Sequence, residues 1–170
     1  MTDKESKEKI CIIPGSFDPM TVGHRELAER ALLLFDRVII AVMNNPEKKY
    51  LFSRKARVEI AKLTCSGLEN VTVEASDGLT AELYEKTGAS ALVKGVRNQK
   101  DFSYELFQSD YNYQRPEKCE TVFLPSRPGS KRISSTAVRK KLEKGTVPSG
   151  LLAPAAAAYI SERLGMEIGR

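Results

Sequence analysis

The chain has 170 residues, 41% hydrophobic and 29% charged, and its 27 Lys and Arg outnumber 22 Asp and Glu for a net charge of +5. That balance excludes intrinsic disorder, and its basic lean favours anionic ligands such as nucleotides and phosphates. Three scattered cysteines (Cys11, Cys65, Cys119) argue against a disulfide framework or zinc site and for a reducing compartment, and no apolar run approaches the ~18 residues of a membrane span.

The charged start "MTDKESKEK" (1–9) is expected to be a frayed lead-in, and it lacks the apolar segment of a signal peptide, so the cytoplasm is the expected location. The run "ICII" (10–13), ended by Pro14-Gly15, predicts a strand buried on both faces. "GHRELAERALLLF" (23–35) places Leu27, Ala31, Leu34 and Phe35 at helical spacing, and "RVIIAVM" (37–43) reads as a second buried strand. Strand, helix and strand in that order make a βαβ unit with a right-handed connection.

The alternation continues. Ser53 predicts the cap of a helix through "RKARVEIAKLTC" (54–65), followed by a strand in "NVTVEA" (70–75). "LTAELYEKTG" (79–88) is a helix stopped by Gly88, and "SALVKG" (90–95) a strand. "DFSYELFQSDYNYQ" (101–114) is a helix with an aromatic stripe, Tyr104, Phe107 and Tyr111, suited to packing or a subunit contact rather than base stacking; "ETVFLP" (120–125) is a fifth strand. "SSTAVRKKLEKG" (134–145) and "PAAAAYISERLG" (154–165) close the chain as helices, and the apolar "LLAPAAAAYI" (151–160) suits core or interface. With no repeat or long linker, the expected fold is one α/β domain over 1–170: a Rossmann-like open sheet of five mostly parallel strands with helices on both faces.

Open sheets of this kind bind ligands beyond the carboxyl ends of their strands, where the strand order changes direction. Three unusual stretches each follow a predicted strand: "PGSFDPMTVGH" (14–24), "KGVRNQKDFSYE" (94–105) and "PSRPGSKRISSTAVR" (125–139). They are therefore expected to converge on one edge.

In the first stretch Gly15 lets backbone approach a ligand closely, while Ser16 and the N–H groups after it suit a phosphate. His24, the only histidine, opens a helix, where the dipole and free N–H groups favour an anion. An imidazole there can donate to charge developing on a phosphoryl group. In the third stretch Ser134, Ser135 and Thr136 surround a helix N-cap beside Lys131, Arg132, Arg139 and Lys140, the makings of a phosphate grip.

The run Gly-Ser-Phe-Asp-Pro-x-Thr-x-Gly-His (15–24) departs from the dinucleotide and Walker patterns and resembles the nucleotidyltransferase superfamily signature that binds a nucleotide triphosphate. "ISSTAVR" (133–139) resembles the element that closes over the nucleotide phosphates in that superfamily. "KGVRNQKDFSYE", with "NPEKKYLF" (45–52) and "VFLPS" (122–126), narrows the resemblance to the bacterial phosphopantetheine adenylyltransferases and extends it from about Cys11 to Arg139.

The resemblance implies an enzyme that transfers the adenylyl group of ATP to 4′-phosphopantetheine, giving dephospho-coenzyme A and pyrophosphate. His24 would stabilise the transition state, with Lys48 and Arg97 offsetting charge. Ser16, Phe17, His24, Gly95, Val96, Arg97 and Glu105 would contact ATP, with Ser130, Lys131, Arg132, Ile133, Ser134, Ser135 and Thr136 closing over it. Ser16, Lys48, Thr80 and Lys94 would line the phosphopantetheine side, and Asp101 would help order its loop. It implies Mg²⁺ held by phosphates and water rather than by side chains, a homohexamer, and no nucleic-acid or membrane partner. Two departures stand out: Lys94 replaces an arginine common in the family, and "GSKRISS" (129–135) lacks a frequent aromatic residue. Nicotinate-mononucleotide adenylyltransferase and glycerol-phosphate cytidylyltransferase are the nearest alternatives, disfavoured by the 94–105 block and by Thr-x-Gly-His. A nucleic-acid-binding module is disfavoured because no aromatic residues interleave the basic ones.

Overall fold

A computed structural model describes residues 8–169, and its frame is a five-stranded sheet of order β3-β2-β1-β4-β5 with every pairing parallel. The strands are β1 (Ile10–Gly15), β2 (Arg37–Met43), β3 (Val71–Ser76), β4 (Ala91–Val96) and β5 (Thr121–Pro125). Between them run α1 (Val22–Ala31), α2 (Arg54–Thr64), α3 (Thr80–Thr87) and α4 (Gln99–Tyr113). A 3-10 turn at Pro128–Ser130 leads to α5 (Ser135–Leu142), β6 (Thr146–Pro148), α6 (Pro154–Leu164) and β7 (Glu167–Gly169).

The central strands are buried on both faces, which is why "ICII" and "VIIAV" are continuous rather than alternating. Cys11, Ile13, Val38, Ile40, Val42 and Val93 face one side, in one core with Ala28 and Ala31 of α1, Ile60 of α2, Val138 of α5 and Ile160 of α6. Ile10, Ile12, Ile39, Ala41 and Leu92 face the other, against Ala81 and Leu83 of α3. Helices thus cover both faces, and "LLAPAAAAYI" is core: Leu152, Ala156 and Ile160 are buried.

The order changes direction between β1 and β4. Whereas β1 pairs with β2 from Ile10↔Arg37 to Gly15↔Val42, it pairs with β4 only at Cys11↔Ala91 and Ile12↔Leu92. Beyond those residues the two strands part, and the loops after them leave in opposite directions. That is the crevice the topology predicts.

Local signals act as expected at several ends. Ser53 accepts from Ala56 N–H at the start of α2, and Gly88 takes the left-handed conformation (φ 63°) that closes α3. Elsewhere the structure corrects the sequence-based expectations. The first helix ends at Ala31, not Phe35, because Asp36 N–H must return to Lys9 carbonyl oxygen to start β2. Leu33 and Leu34 consequently lie exposed in the turn. Of the expected frayed lead-in, residues 1–7 lie outside those described, whereas Lys9 is tied down, its N–H donating to Asp36 Oδ2 at 2.7 Å. The short parallel pair β6–β7 was not expected; three residues each carry no readable period. Finally, α4 buries no residue: Tyr104, Phe107 and Tyr111 are exposed, and Phe102 meets Phe123 edge to face at 5.3 Å.

Candidate active site

The crevice is floored by the turn between β1 and α1. Its backbone is held from several sides. Arg57 of α2 donates to the Ser16 carbonyl oxygen at 2.5 Å, and Ser135 Oγ donates to that of Pro19 at 2.8 Å. Arg139 reaches Asp18 carbonyl oxygen at 2.7 Å. The buried carboxylate of Asp18 accepts from Leu51 N–H (2.8 Å) and Phe52 N–H (2.9 Å), joining the turn to the start of α2. The Asp18–Pro19 peptide is cis, and Phe17 sits at φ 47°, an uncommon conformation for a residue with a side chain.

The sequence expectation for Gly15 was an open backbone approach for a ligand. Instead the Phe17 ring takes that space: a Cβ on Gly15 would lie 2.9 Å from Phe17 Cζ. Phe17 is buried and meets the His24 ring in a T-shaped contact, centroids 5.2 Å apart at 83°. Its backbone N–H, which has no acceptor among the described residues, is what it can offer a phosphate. Ser16 Oγ likewise makes no internal hydrogen bond among them.

His24 lies in the first turn of α1. Its Nδ1 accepts from Thr21 N–H at 3.0 Å and lies 2.9 Å from Thr21 Oγ1. A backbone N–H can only donate, so a neutral ring carries its proton on Nε2. Burial of the ring, with the positive charge of Arg97 as a second cause, lowers its pKa to about 4. At neutral pH His24 is therefore an uncharged hydrogen-bond donor fixed at a helix N-terminus.

The element that follows β5 joins the same edge. Ile133 packs on the N-terminus of α1, its Cγ2 3.4 Å from where a Gly23 Cβ would be. Ser134 Oγ caps α5 by accepting from Ala137 N–H (3.1 Å), and Thr136 Oγ1 accepts from Arg139 (3.1 Å). Both hydroxyls keep their own proton for a ligand, whereas Ser135 has donated its own to Pro19. The Ser135 and Thr136 N–H groups have no acceptor among the described residues, so amides rather than three free hydroxyls make the grip. Ser130 Oγ donates to Glu26, which Arg127 also approaches at 3.6 Å; Lys131 and Arg132 are exposed and contact nothing comparable.

Across the crevice, Gly95 and Val96 end β4, with Arg97 just beyond it. Arg97 pairs with Asp101 at 2.6 Å, and Asn98 caps α4 by accepting from Asp101 N–H at 3.0 Å. Asp101 thus ties Arg97 to the first turn of α4. Lys94 and Glu105 pair at 3.0 Å, both mostly buried. Lys48 stands exposed in the loop after β2, with its N–H on Asn45 carbonyl oxygen, and Thr80 is the first residue of α3. No group of three or more His, Cys, Asp or Glu side chains with metal-binding geometry occurs among the described residues.

Comparison with known proteins agrees with this architecture. The cytidylyltransferase-like family pattern matches residues 12–141. The phosphopantetheine adenylyltransferase of Limosilactobacillus reuteri (strain DSM 20016) is 40% identical over 137 residues, 81% of this chain and 79% of its own length. That of Latilactobacillus sakei subsp. sakei (strain 23K) is 40% identical over 158 residues, 92% of this chain and 96% of its own. A third, from Symbiobacterium thermophilum, is 38% identical over 152 residues, 89% and 94% of the two chains. The chain belongs to the phosphopantetheine adenylyltransferase family. Its fold is the α/β nucleotidyltransferase fold, and the family's proteins are transferases. Among the described residues no helix is long and apolar enough to cross a membrane.

Asp18 and Thr21 lie in the 15–24 motif, but sequence reasoning gave them no holding role, and it missed Glu26 and above all Arg57 altogether. Those two sit in ordinary helical contexts, and only the fold shows what they touch.

Proposed function

We propose that the protein transfers the adenylyl group of ATP to 4′-phosphopantetheine, giving dephospho-coenzyme A and pyrophosphate in the coenzyme A pathway. The observation that carries this for the chain's own residues is the Thr21–His24 hydrogen bond, which leaves a neutral imidazole with Nε2–H as donor between two helix N-termini. The substrate phosphate oxygen attacks the α-phosphorus of ATP, a new P–O bond forms, and the bond to the bridging oxygen of pyrophosphate breaks. The nucleophile arrives ionised, so the site needs no general base, and a neutral His24 that donates rather than accepts suits that demand.

The Phe17 N–H, the free amides of α5 and Ser134 would hold the triphosphate, with His24 on the α-phosphoryl oxygen. Arg97 would offset charge beside it. Lys48, Thr80 and Lys94 would hold the phosphopantetheine, with Ser16 between the two ligands. Alignment and charge neutralisation then supply the catalysis. The carboxylates of the crevice are engaged already, Asp18 by amides, Asp101 by Arg97 and Glu105 by Lys94. Donors and cations of this kind fit phosphate oxygens rather than a bare cation, so Mg²⁺ would come with the nucleotide and supply charge neutralisation there.

Two further expectations belong to the proposal. The exposed aromatic face of α4 supports assembly into the homohexamer that the resemblance implies. The three free buried cysteines support a cytoplasmic location.

Pyrophosphate release from ATP and Mg²⁺ tests the proposal, with 4′-phosphopantetheine set against nicotinate mononucleotide and glycerol 3-phosphate. Turnover is expected with the first alone, and preference for either of the others would overturn the substrate assignment.

A further inference from the structure

Arg57 is 1% exposed, the largest fully buried side chain of the described residues, and it forms no ion pair with a carboxylate among them. The Asp18 carboxylate favours the cation from beyond ion-pair distance, yet burying a cation with no direct pair is costly, and an apolar side chain of like volume would fill the same space more cheaply. What the guanidinium holds gives it a purpose. One nitrogen donates to Ser16 carbonyl oxygen at 2.5 Å and to that of Met43 at 3.0 Å. The other donates to Asn44 Oδ1 at 2.5 Å, and the guanidinium carbon stacks 4.0 Å from the centre of the Tyr50 ring.

These partners come from two loops. Ser16 belongs to the turn after β1. Met43, Asn44 and Tyr50 bracket the loop after β2 that carries Lys48. That loop is closed on itself, since Tyr50 Oη accepts from Asn45 N–H at 2.6 Å, while Asn45 accepts from Glu47 N–H (2.9 Å) and Lys48 N–H (3.0 Å). Both ends of the loop therefore hang from one planar fork. In a trans peptide the carbonyl and the following N–H point opposite ways. Arg57, by taking the Ser16 carbonyl, turns the Phe17 N–H away from α2 and holds Phe17 at its φ of 47°.

We propose that Arg57 is a positioning residue that couples the triphosphate turn to the Lys48 loop, setting the distance between the two phosphate sites. This rests on the placement of the triphosphate at Ser16–Phe17 and of the substrate phosphate at Lys48. A lysine keeps the charge but has one nitrogen, so it offers no second nitrogen to Asn44 and no planar face to Tyr50, the contacts that fix the Lys48 loop.

The test is a double-mutant cycle on the full-length enzyme: Arg57→Gln, Arg57→Lys, Lys48→Ala and the Arg57→Gln/Lys48→Ala pair, with kcat, both KM values and thermal melting recorded. Misplacing reacting groups by an ångström can cost about 10²-fold, so both Arg57 variants should stay folded yet lose about tenfold or more in kcat, with KM raised for both substrates. Arg57→Lys, without the bond to Asn44 and the stack on Tyr50, should not restore the parent constants. In the Lys48→Ala background Arg57→Gln should no longer raise KM for 4′-phosphopantetheine, a non-additivity that a merely structural arginine would not produce. Folded Arg57 variants with constants within about twofold of the parent would overturn the coupling, as would an undiminished KM penalty in the double variant. Loss of fold in both Arg57 variants would overturn it too, marking a structural role. A Lys48→Ala enzyme with unchanged KM would instead refute the placement of the substrate phosphate, and the coupling with it.

Discussion

Thr21 N–H donates to His24 Nδ1 at 3.0 Å, and that single bond decides which nitrogen of the imidazole carries the proton. Because His24 is the only histidine, its ring signals in a nuclear magnetic resonance titration need no assignment. They should show the Nε2–H tautomer and a midpoint of about 4 instead of the ordinary 6.5. A folded value below the unfolded one means that the unfolded chain takes up this proton first. The contribution of His24 to stability is then present above about 6.5 and lost as the pH falls toward about 4. A midpoint near 6.5 in the ligand-free protein would refute the neutral-donor role.

His24→Ala removes one preorganised donor and should lower kcat by roughly 10²–10³, with a smaller change in ATP binding measured by calorimetry. His24→Gln has an amide donor and should keep part of that loss back. Near-normal turnover in the alanine variant would take His24 out of the mechanism.

Gly15→Ala puts a methyl group 2.9 Å from the Phe17 ring, whose neighbour is His24. Overpacking of this kind typically costs about 1–3 kcal/mol, to be read from denaturant midpoints. The ring cannot yield without disturbing His24, so kcat should fall along with stability.

Asp18→Asn replaces a carboxylate that accepts two backbone N–H groups with a side chain that accepts at one oxygen and presents an N–H₂ to the other. A hydrogen bond to a charged group is worth about 1.5–3 kcal/mol, and a loss of that order is expected on chemical unfolding. The Lys48 loop leads into Leu51, so KM for the phosphopantetheine substrate should rise in the same variant.

Lys94→Arg offers Glu105 a bidentate partner where a point charge now sits at 3.0 Å. Steady-state kinetics should show KM for 4′-phosphopantetheine lowered a few-fold and kcat little changed. An increase in KM would show that the lysine is matched to this chain's own crevice.

The fold was legible wherever one physical signal dominated. Continuous apolar runs marked the buried strands, Ser53 and Gly88 marked helix ends, and the alternation implied a sheet that must reverse direction. The three stretches after β1, β4 and β5 do meet at that reversal. Periodicity tells which face a residue occupies but not what it touches, and the errors follow from that. Gly15 read as room for a ligand, when the Phe17 ring two residues on fills it. The hydroxyls of Ser134, Ser135 and Thr136 read as one grip, yet each has an internal partner. Arg57 could not be told from the solvated basic residues around it in "SRKAR", since its hydrogen-bond partners lie 13, 14 and 41 residues away.

The contact between Arg139 and Asp18 spans 121 residues of chain, and Ser135 to Pro19 spans 116. The phosphate cradle is therefore complete only where α5 meets the turn after β1; no N-terminal fragment of the chain contains it. A nucleotide bound there would grip contacts between segments far apart in the chain, so its binding energy would be felt as resistance to unfolding throughout the sheet rather than as the stiffening of one loop. Catalytic competence in this chain is in that sense a report on complete folding.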